Sequence, residues 1–503
     1  MRAPSIPLRS STQDYLFRLQ YGGGTKALLF GAVAVGVGAT IAFGLGPLAL
    51  AGVALIAIVS LPNGDRAARI FVLVVLAGYI AAERLFAYLS IPVGGLPLYV
   101  GEVAVAVGVM GLLAGERLPR LAVARRWIAG FLTWSIVVLL MRWGNGTILE
   151  TFRDFSFVYY TAFALFSFAI PWERMEPRAF SAIAIVFVVQ LLFAGAVILG
   201  LVAPDALGGA GELLTRADIK GANLIGGAAF FLLADHRLRI SWFVRALLAT
   251  TEIVLALMTG SRAVVVALVV FIGLMLFLRA GRAIRFVSLL LIVAAVFGAT
   301  VQSGLHRETE LGDVSPSRAT NRLLVLVGLG AEDVAAPTLE EATGTAQWRR
   351  LLWSDIWRRQ VSRPDWLLFG RGFGFDPVTE AGLVSHAKQS PRAPHSIIVD
   401  VLARLGVVGL FLFVGALAAI ALAARRITFA RSSSSALVRW LLVYWAALLS
   451  VALFGVILES PFGAAPFFTA TGALLRLTSL EPAATDRVDN RESTVRPLGP
   501  PAS

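Results

Sequence analysis

Apolar blocks of about 20 residues recur along almost the whole chain, and they limit its fold more than any other feature. A hydrocarbon core about 30 Å thick requires a helix of that length, whereas a membrane β-barrel would alternate apolar and polar residues. The blocks fall at 27–44, 47–62, 67–89, 97–115, 127–143, 155–171, 179–202, 221–234, 241–259, 263–278, 286–302, 395–423, 440–457 and 465–480. The first two are separated only by GLGP, and the block at 221–234 is short. The sequence therefore predicts an all-α, polytopic membrane protein with 12–14 transmembrane helices.

The composition and the positions of the charged residues argue against cysteine chemistry and against nucleic-acid binding. The chain has no cysteine, which excludes disulfides and thiolate catalysis. Its net charge of +13 is as large as that of many nucleic-acid-binding proteins. Most of its arginines, however, lie in short loops between apolar blocks, where they set the orientation in a bilayer. We therefore expect membrane lipids and no nucleic acid among its partners.

The basic loops predict the topology. Four arginine-rich segments, 116–126, 235–239, 279–285 and 424–439, are assigned to the cytoplasm by the positive-inside rule. An even number of spans then leaves both termini on that side. The predicted organisation is a cytoplasmic tail at 1–26 that could hold an amphipathic helix, a helix bundle at 27–302, a large and partly helical periplasmic loop at 303–394, further transmembrane helices at 395–480, and a disordered cytoplasmic tail at 481–503.

Four polar groups lie where this topology places the outer ends of helices. They are Arg262 in MTGSRAVVVAL; Arg216, Lys220 and Asn223 in TRADIKGANL; Arg349 and Arg350 in TAQWRRLLWSDIW; and His395 with Ser396 in APHSIIVD. Cations and free N–H groups at a helix N-terminus suit phosphate, and histidine is the side chain that most readily exchanges a proton near neutral pH. These residue types favour an anion site with a base beside it.

Each group also has a purely structural interpretation. Arg262 alone is typical of an arginine snorkelling at the interface, and the helix around Arg349 could lie on the membrane surface. Residues 216–223 could be a charged loop before a closely packed helix. His395 could be an interfacial residue, with Ser396 as a helix N-cap. The residues alone leave both interpretations open.

The carboxylates do not suggest a metal site. The first outer loop is GLGP, which carries no aspartate, and the acidic pairs 308/310, 332/333 and 340/341 sit in turn-like stretches of the long loop. Carboxylates are the natural ligands for hard cations, but nothing in the sequence places these near the membrane. Walker-type and dinucleotide motifs are absent. We therefore expect a cation-rich site without a metal or other cofactor.

Four segments, taken in order, resemble the O-antigen ligase and Wzy-type polymerase superfamily of bacterial membrane glycosyltransferases. IKGANLIGGAAFFLLA is similar to its glycine–asparagine helix entry, and GSRAVVVAL to its small-residue/Ser-Arg helix start. WRRLLWSDIWRRQVSRPDWLLFGRGFG resembles its arginine–x3–tryptophan helix followed by Gly-x-Gly, and PHSIIVDVLARLGVVGLFLF its histidine-bearing helix. The resemblance covers about residues 180–425. It implies a GT-C-like fold.

The resemblance also implies roles for individual residues. Arg262 would bind the donor diphosphate, His395 would act as the base, and Arg349 would act in catalysis with Arg350 as an alternate. Lys220 and Asn223 match positions near the phosphate site, and Arg216 is a weaker match. Two departures stand out: Ser396 replaces an asparagine, and Arg404 replaces an acidic residue. Gly406 and Gly409 are expected to allow close helix packing.

The predicted function is a metal-independent, inverting transfer of a glycan from a polyprenyl diphosphate to an acceptor hydroxyl at the outer face of the bacterial inner membrane. The acceptor could be another glycan, a glycolipid or a protein side chain, and the sequence does not choose among a polymerase, a ligase and an oligosaccharyltransferase. The alternative is a transporter or flippase of lipid-linked or anionic solutes. Such a protein should carry polar residues deep within several helices, of which the sequence shows few, with Gln190 the clearest.

Overall fold

The computed structural model describes the chain from residue 64 onward, with gaps. The described residues are 64–93, 96–114, 124–174, 177–198, 221–233, 240–259, 261–278, 346–382, 393–428 and 435–480, with short pieces at 238, 292–293, 295, 297–299, 307–309 and 312–314. The predicted tails at 1–26 and 481–503 and the first two apolar blocks lie outside them.

Helices make up nearly all of the described structure. They are α1 Gly64–Ala87, α2 Val100–Ala114, α3 Ala124–Met141, α4 Ile148–Asp154, α5 Ser156–Tyr159, α6 Ala162–Ala169, α7 Pro177–Ile198, α8 Ala222–Leu233, α9 Trp242–Met258, α10 Arg262–Leu278, α11 Ala346–Ser362, α12 Pro364–Phe369, α13 Pro377–Glu380, α14 Ile397–Thr428, α15 Ser435–Ala452 and α16 Pro461–Leu480. Short 3-10 turns lie at Trp172–Arg174 and Ile457–Glu459.

Strands in the described residues are confined to two small hairpins. β1 Ser90–Val93 pairs antiparallel with β2 Leu96–Tyr99 between α1 and α2. β3 Arg307–Thr309 pairs with β4 Gly312–Val314 in the long loop before α11. Neither hairpin joins a larger sheet. The prediction of an all-α membrane protein is therefore confirmed.

Four of the described helices are long and apolar enough to cross a membrane. The spans are Arg69–Ala87, Ala179–Ile198, Ile397–Arg425 and Ser435–Ala452, judged by length and composition. Shorter apolar helices include α8 and α10, and a broken one covers Ser156–Ala169. Helices thus occur at most of the predicted apolar blocks. The total of 12–14 and the orientation remain predictions.

The centre of the bundle is aromatic and closely packed around α8, whose residues are all buried. Its Phe230 ring lies 5.6 Å from the ring of Phe187 on α7 and 5.1 Å from that of Trp440 on α15. The Trp440 indole also donates a hydrogen bond of 3.0 Å to the carbonyl of Gly226. Such aromatic contacts add to the packing energy beyond the buried area. They fix α7, α8 and α15 against one another.

The long helix α14 is bent sharply at Gly406, and this bend separates a short outer segment, 397–405, from the rest. Gly406 has φ 68° and ψ −171°, a backbone region that essentially only glycine adopts. Its backbone passes so close to residues 368–370 that an added methyl group would lie 2.6 Å from the amide nitrogen of Gly370. Gly409 allows the expected close packing, against Trp134 of α3. Gly406 allows a bend as well, which the sequence analysis did not predict.

The carbonyl groups that the bend frees are hydrogen-bonded from outside the helix. The amides of Arg371 and Gly372 donate to the carbonyls of Ala403 and Arg404, each at 2.9 Å. The Trp134 indole donates to the carbonyl of Leu405 at 2.9 Å. Unpaired carbonyls are costly in a dry interior. The glycine loop 370–374 therefore stabilises the bend.

Gly406→Ala should destabilise the fold. The side chain would need a forbidden backbone conformation, at a cost of about 1–3 kcal/mol, and would collide with residues 368–370. We expect a lower melting temperature for the detergent-solubilised protein. Gly273→Ala, in the middle of α10, is the matched control, because nothing lies within 4 Å of the added methyl group. Equal melting temperatures for the two variants would contradict the role given to Gly406.

Candidate functional site

His395 lies in the short connection that leads into α14, and its backbone is strained. Its φ is 57°, one of two positive values at non-glycine residues in the described chain. Such a conformation costs on the order of 1–3 kcal/mol and persists only where the surroundings impose it. The ring of Trp348 contacts the imidazole edge-to-face, with 5.6 Å between the ring centres. The half-buried imidazole is thus held in a defined place, as a base must be.

Helix α11 holds Trp348 against His395, and the spacing of its apolar residues explains why this side of the helix is buried. Trp348, Leu352 and Ile356 recur every four residues, so they share one face of the helix. That face is buried against Phe375, which directly follows the glycine loop, Val378 of α13 and Ala403 of α14. The predicted helix in the long loop therefore exists and packs directly on the segment that follows His395.

Arg349 and Arg262 lie far apart in the chain but interact electrostatically in the fold. Arg262 begins α10 and Arg349 stands in the first turn of α11. Burial, together with the positive charge of Arg262, lowers the pKa of the Arg349 guanidinium. The Arg349 Nε atom is buried without a hydrogen-bond partner, and no described carboxylate forms an ion pair with either arginine. Two interacting guanidinium groups that have no carboxylate partner among the described residues form a site suited to an anion.

The remaining predicted site residues have different surroundings. Arg350 is exposed, on the other side of α11 from the buried face. Asn223 is buried: its amide donates to Glu83 Oε1 at 3.2 Å, and its oxygen accepts from the Tyr444 hydroxyl at 2.7 Å. Its polar atoms therefore bond other helices of the bundle. Arg216 and Lys220 lie outside the described residues.

The start of α8 nevertheless adjoins the turn that carries Arg262. A methyl group added at Gly221 would lie 2.9 Å from Val264 and 3.5 Å from the Thr259 hydroxyl. Gly221 directly precedes α8, so the helix entry that resembles the family lies beside the predicted diphosphate-binding turn. The two segments that the sequence analysis treated separately are neighbours.

A buried ionic cluster lies behind the candidate site. Arg404, with 2% of its side chain exposed, donates to Asp400 at 2.8 Å and to Asp154 at 2.6 Å. Asp154 also accepts the amide of Gly374 at 2.9 Å. A buried guanidinium is tolerated only when it is paired and hydrogen-bonded in this way. The cluster joins α4, the glycine loop and the outer segment of α14.

A third carboxyl group, that of Glu459, adjoins this cluster. Burial and the negative charge of Asp400 raise the pKa of Glu459, so this group holds a proton more readily than an ordinary glutamate.

Sequence reasoning missed most of this supporting structure. Asp400 and Arg404 are spaced i, i+4, a pattern that predicts a pair on one helix face, but the third member, Asp154, lies 250 positions from Arg404. The buried Glu83 and Glu252 in α1 and α9 also escaped notice. In the described part of the chain, no three His, Asp or Glu side chains converge on a possible metal position.

The comparison with known protein families agrees with the resemblance seen in the sequence. Residues 244–414, about a third of the chain, match the family model described as O-Antigen ligase. The matched segment contains Arg262, Arg349, Arg350 and His395. The resemblance to this superfamily is thereby confirmed, and it supports a glycosyltransferase of the O-antigen ligase or polymerase type in general. No curated protein matches the chain.

Arg404→Met should destabilise the protein strongly. Removing one member of a buried ion pair leaves its carboxylates uncompensated and typically costs about 3–5 kcal/mol. Thermal unfolding in detergent measures the loss. Arg358→Met is the matched control, because Arg358 also pairs with an aspartate, at 2.5 Å, but its side chain is 79% exposed and exposed pairs contribute little. A similar melting temperature for both variants would show that the cluster is not stabilising.

Proposed function

We propose, starting from the match of residues 244–414 to the O-antigen ligase family, that this protein transfers a glycan from a polyprenyl diphosphate to an acceptor hydroxyl. The transfer inverts the anomeric centre and uses no metal. One observation carries the proposal: Arg349 on α11 interacts with Arg262 at the start of α10, neither forms an ion pair with a described carboxylate, and Trp348, next to Arg349, contacts His395.

The arginine pair would hold the donor diphosphate. Guanidinium groups stay charged at any physiological pH and bind phosphate oxygens through pairs of N–H groups. Negative charge develops on the diphosphate as it departs, and the two arginines would stabilise it as a metal does in other transferases. An anion bound between them would also relieve their mutual repulsion.

His395 would remove the proton from the acceptor hydroxyl. In the proposed step the hydroxyl proton moves to a neutral imidazole nitrogen, and the freed oxygen attacks the anomeric carbon. The bond from that carbon to the diphosphate oxygen breaks, and the polyprenyl diphosphate leaves with the electron pair. A single displacement of this kind inverts the configuration. Because the donor linkage supplies the free energy, the reaction needs no nucleotide.

The acceptor class and the side of the membrane are part of the same proposal. The donor lipid would lie in the bilayer, with its sugar at the periplasmic face of the bacterial inner membrane, in line with the arginine-rich loops assigned to the cytoplasm. The acceptor could be a lipid-linked core, a growing glycan or a protein side chain. Analysis of the glycan that accumulates in a deletion strain would identify which one.

Transport of a lipid-linked or anionic solute is the second candidate, and one observation favours it. Glu83 and Glu252 are buried within the helix bundle, and ionisable residues at such positions often mark a transport path. Reconstituted vesicles with purified lipid-linked donor separate the two functions. Transfer forms a new glycosidic bond, whereas transport only moves the donor across the bilayer.

His395→Gln and Arg349→Ala should each abolish transfer without preventing folding. A general base contributes about 10²–10⁴-fold to a rate, so turnover should fall by at least about 100-fold in the histidine variant. Arg350→Ala should cost less than Arg349→Ala, because Arg350 is exposed and Arg349 is half-buried. Arg358→Ala, on the same helix, serves as the control with normal turnover. Near wild-type activity of His395→Gln would disprove the assigned base.

Chelation should leave transfer intact. Because the proposed site neutralises the diphosphate with arginines, purified protein treated with EDTA and dialysed should keep its turnover. Product formation on a lipid-linked donor provides the measurement. Loss of activity that added Mg²⁺ or Mn²⁺ restores would contradict the metal-independent mechanism.

A further inference from the structure

The strained backbone of His395 requires a contact that holds it, and helix α11 supplies one directly. The indole N–H of Trp353 donates a hydrogen bond of 2.7 Å to the carbonyl of Pro394. That carbonyl belongs to the peptide bond that leads into His395, whose φ is 57°. The bond therefore restrains the backbone at the point where the unusual conformation begins.

A second contact from the same helix holds the ring of His395. Trp348, whose side chain is 1% exposed, meets the imidazole edge-to-face. Because Trp348 is locked in the small core with Leu352 and Ile356, it presents a fixed surface to the imidazole. Trp348 thus restricts the position of the His395 ring, and Trp353 restricts the backbone that precedes it.

The same helix also carries the candidate phosphate ligand. Arg349 and Trp353 are spaced i, i+4, so they lie on one face, about 6 Å apart along the helix axis. Arg349 therefore cannot shift along α11 relative to Trp353. Through Trp353, the position of the arginine is tied to the position of the histidine.

We propose that Trp353 is a positioning residue, which sets the distance between the base His395 and the diphosphate ligand Arg349. The inference rests on the proposed function. Transfer requires the acceptor hydroxyl to lie between the base and the anomeric carbon, and small misplacements of catalytic groups are costly to rate. A hydrogen bond to the backbone before the histidine is suited to this task, because the bond is made to a carbonyl oxygen and not to the imidazole ring.

Trp353→Phe tests the inference, because it removes the N–H donor and keeps an aromatic ring. We expect turnover with the native lipid-linked glycan to fall about tenfold, while the KM for that donor changes by less than about twofold. Trp445→Phe is the matched control. It removes an indole hydrogen bond of 3.0 Å to Thr471, between α15 and α16, and should leave turnover unchanged.

A spectroscopic readout separates positioning from general stability. The chain has four histidines, so the ring nitrogen signals of labelled protein are few, and His395→Gln identifies the signal of interest. Trp353→Phe should shift or broaden that signal, whereas Trp445→Phe should not. Trp353→His, which retains a ring N–H donor, should keep more turnover than Trp353→Phe.

Three results would overturn the inference: wild-type turnover in Trp353→Phe, an equal loss in Trp445→Phe, or an unchanged His395 signal in Trp353→Phe. These failures are distinguishable from failure of the proposed function. If His395→Gln is inactive and Trp353→Phe fully active, the base assignment stands and only the positioning role is wrong. If His395→Gln remains active, the proposed function itself fails.

Discussion

The buried pairing of Arg404 with Asp154 and Asp400 is the interaction on which the candidate site depends. A guanidinium in the interior is tolerated only when its charge and its hydrogen-bonding groups are matched, and both carboxylates lie within 2.8 Å of it. The three residues come from α4 and α14, and the amide of Gly374 joins them through Asp154. The bend at Gly406, the glycine loop and the buried face of α11 meet at this junction.

Local patterns predicted the elements well. The apolar blocks near 20 residues gave most of the described helices, because a helix must hide its backbone polar groups from lipid. The helical spacing of the apolar residues in 345–361 predicted α11, and the structure shows that Trp348, Leu352 and Ile356 form its buried face. In each case the prediction rests on residues within one or two helical turns of each other, because the helical backbone fixes how often a side chain returns to the same face.

The supporting contacts could not be predicted, since they join residues far apart in the chain. Nothing local to Asp154 indicates a partner 250 positions away, and the bend of α14 depends on amides of the loop 370–374. Arg262 and Arg349 were recognised as candidates, but their proximity appears only in the structure. The hydrogen bonds of Asn223 to Glu83 and Tyr444 likewise appear only in the structure.

The bend at Gly406 has a consequence for how such a protein can be modified or can diverge. Residues 397–405 exchange backbone and side-chain hydrogen bonds with residues of the long loop and α11, so they belong structurally to the loop rather than to the helix they extend. Residues 346–382 and 393–405 therefore pack together as one unit. A chimera joined near Gly406 would carry His395, Arg349 and Trp353 together, but it would keep the pairing of Arg404 with Asp154 only if α4 came from the same parent.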